Sequence, residues 1–222
     1  MNTLVSLHEL FPTLLFSEIA IPDMSVRNNF FGNDTMHEDI TGANDTLLKF
    51  QKQHPNALLA NGYLEERAFY NTSRFERETT NGKEYRNIHL GTDFWVPART
   101  PIYAIYDSEV VVSYHNDFHK DYGPLLILKH QRNDTFFYTL YGHLSVDSLA
   151  LSPKGKILKK GDLIAHIGNE VENGHWAPHL HFQVITDLLG ETENYNGVAF
   201  PSELERWKEL CPDPSFLFIE NF

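Results

Sequence analysis

The stretch Ala177-Pro178-His179-Leu180-His181-Phe182-Gln183-Val184-Ile185 sets two imidazoles one residue apart at the mouth of an apolar run. Successive side chains of an extended strand point to opposite faces, so His179 and His181 share one face while Leu180 and Phe182 share the other. Pro178 suits the first position of such a strand, where its nitrogen owes no ladder hydrogen bond. Two histidines alone make an ordinary edge-strand surface, since a metal site needs three or four ligands.

Further ligands lie upstream in Asn87-Ile88-His89-Leu90-Gly91-Thr92-Asp93-Phe94-Trp95. A helix would bring His89 and Asp93 onto one face, but Gly91, Thr92 and the aromatic pair are poor helix formers. On a straight strand the two would stand roughly 13 Å apart. A bend at Gly91, which tolerates unusual dihedrals, would bring both to one point. His89, Asp93 and His181 then offer two nitrogens and one oxygen and leave a fourth tetrahedral position open, as in catalytic zinc sites.

A third motif, Tyr138-Thr139-Leu140-Tyr141-Gly142-His143-Leu144-Ser145, ends a β-rich run in a histidine. The order His-x-x-x-Asp, then Tyr-Gly-His-Leu-Ser, then Pro-His-Leu-His-Phe resembles the lysostaphin and LytM-type zinc metallopeptidases, largely peptidoglycan endopeptidases. The resemblance runs from about Asn87 to Ile185 and includes Val96 to Ala104 and Lys159 to Gly168. It implies a mainly β fold, with an antiparallel sheet or sandwich core and short helices in the N- and C-terminal extensions. It also implies one Zn2+ on His89, Asp93 and His181, with His143 and His179 as catalytic, non-ligand histidines. His179 is expected to be the base, because its neighbour on the same strand face is the ligand His181; His143 is expected to hydrogen-bond the developing tetrahedral intermediate or share the proton work. A tyrosine often assists in this family, and Tyr85 is the candidate. The implied substrate is a glycyl or D-amino-acid peptide of the peptidoglycan-fragment kind. The alternative is a non-catalytic zinc-binding or regulatory domain of the same fold, although such relatives usually lack part of the five-residue set.

The loop Asn169 to Trp176 departs from the small-residue run of the family. His175, four residues before His179, is a candidate substrate contact. Trp176 would narrow the groove or pack into the core, and Glu170 and Glu172 would disfavour an anionic peptide.

The 222 residues fit a central metallopeptidase domain, 76–190, with an N-terminal extension, 1–75, that crosses the cleft and a C-terminal extension, 191–222. The segment 33–44 reads as a loop, 45–53 as a short helix and 62–75 as an extended segment entering the core. Residues 115–123 read as a loop with solvent-facing His115 and His119. Glu65, Glu66 and Arg67 read as a solvated charge cluster, with lining of the cleft as the other reading. His54, Asn61 and Asn71 are candidates for an extra, blocking zinc ligand. Ser202 and Glu205 have the spacing of a capping box. One cysteine, Cys211, excludes an internal disulfide and suits a reducing compartment. A net charge of −12 argues against nucleic acid and against adhesion to anionic polymers. No secretory leader or membrane span is legible, so the expected location is cytoplasmic, with the periplasm or cell wall as alternatives. The segments Gly62 to Tyr70 and Gly197 to Pro214 resemble the flanks of this domain in fusions with kinase-like and class III aminotransferase-like domains, which points the same way.

Overall fold

The computed structural model describes residues 4–28, 30–31 and 40–222. Its centre is one eight-stranded sheet, built from β1 (Glu18–Ala20), β2 (Ala57–Asn61), β3 (Thr92–Trp95), β4 (Ser108–Asn116), β5 (Gly123–Arg132), β6 (Thr135–Gly142), β7 (Ile157–Leu158) and β8 (Leu180–Ile185). The spatial order is β1-β2-β3-β8-β6-β5-β4-β7, and every pair except β1 with β2 is antiparallel. The fold is therefore mainly β, as the motifs imply.

Both faces of the sheet are covered, which explains why Leu125-Leu126-Ile127-Leu128 is apolar without a break. Leu126 and Leu128 join a core with Phe94, Tyr141, Phe182 and Val184. Leu125 and Ile127 join a second core with Leu140, Ile185, Tyr195 and Trp207 on the other face. The flanks close both layers. Val5, Leu7, Leu10, Leu217 and Phe218 enter the first core, and Trp207 and Cys211 the second.

Several local expectations are corrected. Residues 33–39 of the expected loop lie outside the described residues, and the helix after it begins at Thr41, not 45. The segment 62–75 enters the core as expected but is not extended throughout: it forms two 3-10 turns, Ala68–Tyr70 and Ser73–Phe75, which carry Phe69 and Phe75 into buried positions. β4 runs on to Asn116, so His115 ends a strand half-buried, while His119 is exposed. The capping box does not form. Ser202 binds Arg77 through its hydroxyl and Glu84 through its amide, and the helix Leu204–Leu210 starts without a side-chain cap.

One row of residues across the sheet positions the site. Asn61 on β2 faces Asp93 on β3, Asp93 faces His181 on β8, and His181 faces Gly142 on β6. Directly opposed residues in neighbouring strands point to the same face, so Asp93 and His181 meet by register alone.

Candidate metal centre

His89 reaches that row by a break in the chain. The short strand Ile88–His89 pairs with Val198–Ala199 in a separate two-stranded sheet, whereas Thr92 to Trp95 belong to the central one. The turn between them, at Leu90-Gly91, brings His89 back over Asp93. Gly91 is required there for space: a Cβ would lie 2.7 Å from His181 Nε2 and 2.7 Å from the Phe182 carbonyl oxygen. The expected bend at Gly91 is thus where the chain turns, and what calls for a glycine there is the close approach of His181 and the Phe182 carbonyl.

Three donor atoms converge. His89 Nε2 lies 2.9 Å from His181 Nδ1 and 3.3 Å from Asp93 Oδ1, and His181 Nδ1 lies 3.2 Å from the same oxygen. Tetrahedral zinc with ligand bonds near 2.0–2.2 Å separates its ligand atoms by about 3.3 Å, so the triangle has the dimensions of three corners of such a site.

The tautomers make the case stronger. His89 Nδ1 donates to the Gly62 carbonyl at 3.0 Å, which leaves Nε2 a bare lone pair. His181 Nε2 donates to Gln183 Oε1 at 2.9 Å, which leaves Nδ1 bare. The Gln183 amide is itself oriented, because its nitrogen donates to the Asn196 carbonyl and to Cys211 Sγ. Two imidazole lone pairs and a carboxylate oxygen therefore face one another with no proton between them. A cation satisfies that arrangement, and metal-bound histidines are held by such outer hydrogen bonds. The residues present fit a zinc ion.

The second carboxylate oxygen of Asp93 faces a different charge. Arg67 Nη1 lies 2.5 Å from Asp93 Oδ2, and Arg67 Nε donates to Glu65 Oε2 at 3.0 Å. Arg67 is 2% exposed, so the reading of a solvated cluster is overturned. Burial alone would raise the Asp93 pKa, but neighbouring positive charge outweighs it and holds the carboxyl well below the usual range. Burial also lowers His89 and His179 to about 4, so both are neutral at pH 7, and the guanidinium of Arg67 is the permanent charge that keeps Asp93 ionised. Asn61 stands in the same row as Asp93, but its amide is engaged elsewhere. Its amide is taken up by Trp95, the Pro22 carbonyl and Glu65, and His54 Nδ1 bonds the Phe50 carbonyl.

His143 and His179 stand beside the triangle with ring centroids 4.2 Å apart. Each has Nδ1 fixed by a backbone carbonyl, Asn173 at 2.9 Å and Ala177 at 2.7 Å, so each presents an unprotonated Nε2. His179 Nε2 is 3.8 Å from Asp93 Oδ1, and its ring stacks on Trp95. Burial, then the neighbouring histidines, hold His143 well below its ordinary pKa. Its φ of +63° places it just past the end of β6, where the chain turns back over the site.

The remaining candidates separate. Trp176 is buried against Phe69 and lines the pocket that opens onto His143 and His181. His175 is exposed and pairs with His119, Nδ1 to Nδ1 at 3.3 Å. Tyr85 sits on the hairpin strand Gly82–Tyr85 opposite Glu76. Another tyrosine, Tyr122, lies by the site, with its hydroxyl 3.5 Å from His181 Nε2 and its ring 5.6 Å from that of His143. Burial raises its pKa well above the usual phenol, so it is a neutral donor. The local sequence Asp121-Tyr122-Gly123-Pro124 gives only a loop signal. What marks Tyr122 is Gly142 opposite it, whose Cβ would meet the Tyr122 ring at 2.5 Å.

With this geometry the class of the domain is defined, and comparison with known proteins agrees. Residues 87–195 match Peptidase family M23, a domain of the lysostaphin and LytM type. Among solved structures it is similar to a zinc-containing peptidase from Vibrio cholerae, at 29% identity and a TM-score of 0.37 over 55% of this chain and 35% of that one. It is also similar to the catalytic domain of the antimicrobial peptidase lysostaphin from Staphylococcus simulans, at 22% identity and a TM-score of 0.37 over 54% of this chain and 80% of that one. A prophage-encoded M23 protein from Enterococcus faecalis gives 21% identity and a TM-score of 0.36 over 56% and 88%. The chain thus spans about a third of the Vibrio cholerae peptidase. Among the described residues no helix is long and apolar enough to cross a membrane.

Proposed function

We propose that the chain is a zinc metallopeptidase that hydrolyses a peptide bond in a glycyl or D-amino-acid peptide, such as a fragment of peptidoglycan. The observation that carries this reading is the convergence of His89 Nε2, Asp93 Oδ1 and His181 Nδ1 within 3.3 Å, each histidine with its other nitrogen already engaged.

His89, Asp93 and His181 would hold the ion. Bound there, zinc supplies a water acidified to near neutral pH and a Lewis acid for the substrate carbonyl. The protein's own groups do the rest. His179 Nε2, unprotonated and beside Asp93 Oδ1, takes a proton and returns it to the leaving amine. His143 Nε2 shares that proton work from the adjacent ring, and Tyr122 donates its hydroxyl to charge that develops on the carbonyl oxygen. Arg67 fixes Asp93 so that one oxygen alone faces the ligands.

Mass spectrometry of muropeptides and glycine-rich peptides incubated with zinc-loaded protein tests this. Cleavage that disappears on chelation and in His179→Ala is expected. Zinc-loaded protein that leaves every peptide intact would favour a binding domain of the same fold.

A further inference from the structure

The pocket beside the metal centre has a chemical bias that the proposed peptidase reading does not specify. It runs from Tyr122 and His181 to a wall carrying Arg86, Lys120 and Trp176. Arg86 is half-buried; its Nη1 donates to Asn196 Oδ1 at 2.9 Å, and among the described residues no carboxylate lies within ion-pair distance of it. Lys120 is 4% exposed, with Nζ at 3.1 Å from the Phe69 carbonyl. Trp176 is 5% exposed, and its indole N–H has no acceptor. The one carboxylate on the pocket wall among the described residues, Asp121, is engaged by Arg74 at 2.5 Å and by Asn116 at 2.6 Å.

The wall therefore offers the guanidinium of Arg86 and an orphan N–H, while Lys120 is held by the Phe69 carbonyl and the acid is taken. A buried donor without a partner calls for an acceptor, and a guanidinium is suited to carboxylate recognition by its planar fork. In a chain of net charge −12 this excess of cations is local, so it does not follow from composition.

We propose that this pocket is a subsite for a carboxylate of the peptide substrate, gripped by Arg86 with Lys120 and Trp176 beside it. The inference rests on the peptidase reading for its substrate but not for its test. It also revises the expectation that the loop acids repel anionic peptides. Glu172 is spent on Arg99, at 3.1 Å, and on the Val146 and Asn169 amides. The carboxylate is either the C-terminus of a peptide or an acidic side chain next to the bond cut.

The experiment is equilibrium binding by calorimetry to the zinc-loaded full chain, with two matched pairs of peptides. One pair is tetraglycine and its C-terminal amide; the other is acetyl-Gly-Gly-Glu-Gly-amide and its glutamine counterpart. The acid of at least one pair is expected to bind about tenfold or more tighter than its neutral partner, and the pair that discriminates identifies the source. The preference is expected to vanish in Arg86→Gln and to survive in Arg86→Lys. Equal binding within both pairs on the unaltered protein would overturn the subsite, as would a preference unchanged in Arg86→Gln. Because binding is read directly, absence of cleavage would count against the peptidase reading and not against the subsite.

Discussion

Arg67 Nη1 holds Asp93 Oδ2 at 2.5 Å, and the other oxygen of the same carboxylate lies 3.2–3.3 Å from the bare nitrogens of His181 and His89. One ionised carboxylate is therefore shared between a guanidinium from the N-terminal segment and the candidate metal centre. Removing the guanidinium leaves a buried charge uncompensated, a change that costs about 3–5 kcal/mol in comparable pairs. Arg67→Met is expected to lose about 3 kcal/mol in urea unfolding with chelator present. Added zinc should recover part of that loss, because a cation at Oδ1 neutralises the same carboxylate. A loss below about 1 kcal/mol would contradict the assignment.

Gln183 Oε1 accepts from His181 Nε2–H at 2.9 Å, and among the described residues the other group in reach is the Tyr122 hydroxyl at 3.5 Å. Gln183→Leu removes the group that fixes the His181 tautomer. Loss of such outer partners typically weakens metal binding by about 10–100-fold. Competition with a fluorescent zinc chelator measures this; unchanged affinity would show that the His181 ring is held by packing alone.

Gly91→Ala adds a methyl group 2.7 Å from both His181 Nε2 and the Phe182 carbonyl. One neighbour is backbone, so His181 must yield. Zinc binding is expected to fall by at least tenfold, with smaller effects on the unfolding midpoint. Full metal affinity in Gly91→Ala would mean that the turn adjusts elsewhere.

His130 provides a pH dependence away from the metal. It is buried, with Nε2 2.7 Å from Thr139 Oγ1 and Nδ1 3.3 Å from the Asp107 carbonyl, and burial lowers its pKa from 6.5 to about 4. Between those values the unfolded chain binds the proton and the folded chain does not, so stability falls as pH drops from about 6.5 to about 4. The shift corresponds to roughly 3 kcal/mol at full effect. His130→Gln should lose stability less steeply than the unaltered chain between pH 7 and pH 4.5 in urea titrations; parallel losses would assign the acid sensitivity to other groups.

The convergence of His89, Asp93 and His181 was legible because its information is local. A His-x-His pair at a strand start and a His-x-x-x-Asp pair around one glycine encode a face and a bend, and the register of β3 against β8 does the rest. Arg67 was not legible in that way. In Glu65-Glu66-Arg67 a charged triplet has the composition of surface, and only the pairing of Arg67 N with the Asn87 carbonyl and of His89 N with the Glu65 carbonyl carries it under the ligands. Tyr122 was missed for the same reason: its place depends on the missing side chain of Gly142, across the fold. Gln183 stood inside the motif, but its role needs Cys211, 28 residues on, to turn its amide.

The most direct test of the account is the zinc content, by elemental analysis, of the purified chain and its single variants. One zinc per chain is predicted for the unaltered protein and for His143→Ala and His179→Ala, with loss in His89→Ala, Asp93→Ala and His181→Ala. Zinc retained in full by His181→Ala, or lost from His179→Ala, would contradict the division between ligands and catalytic histidines.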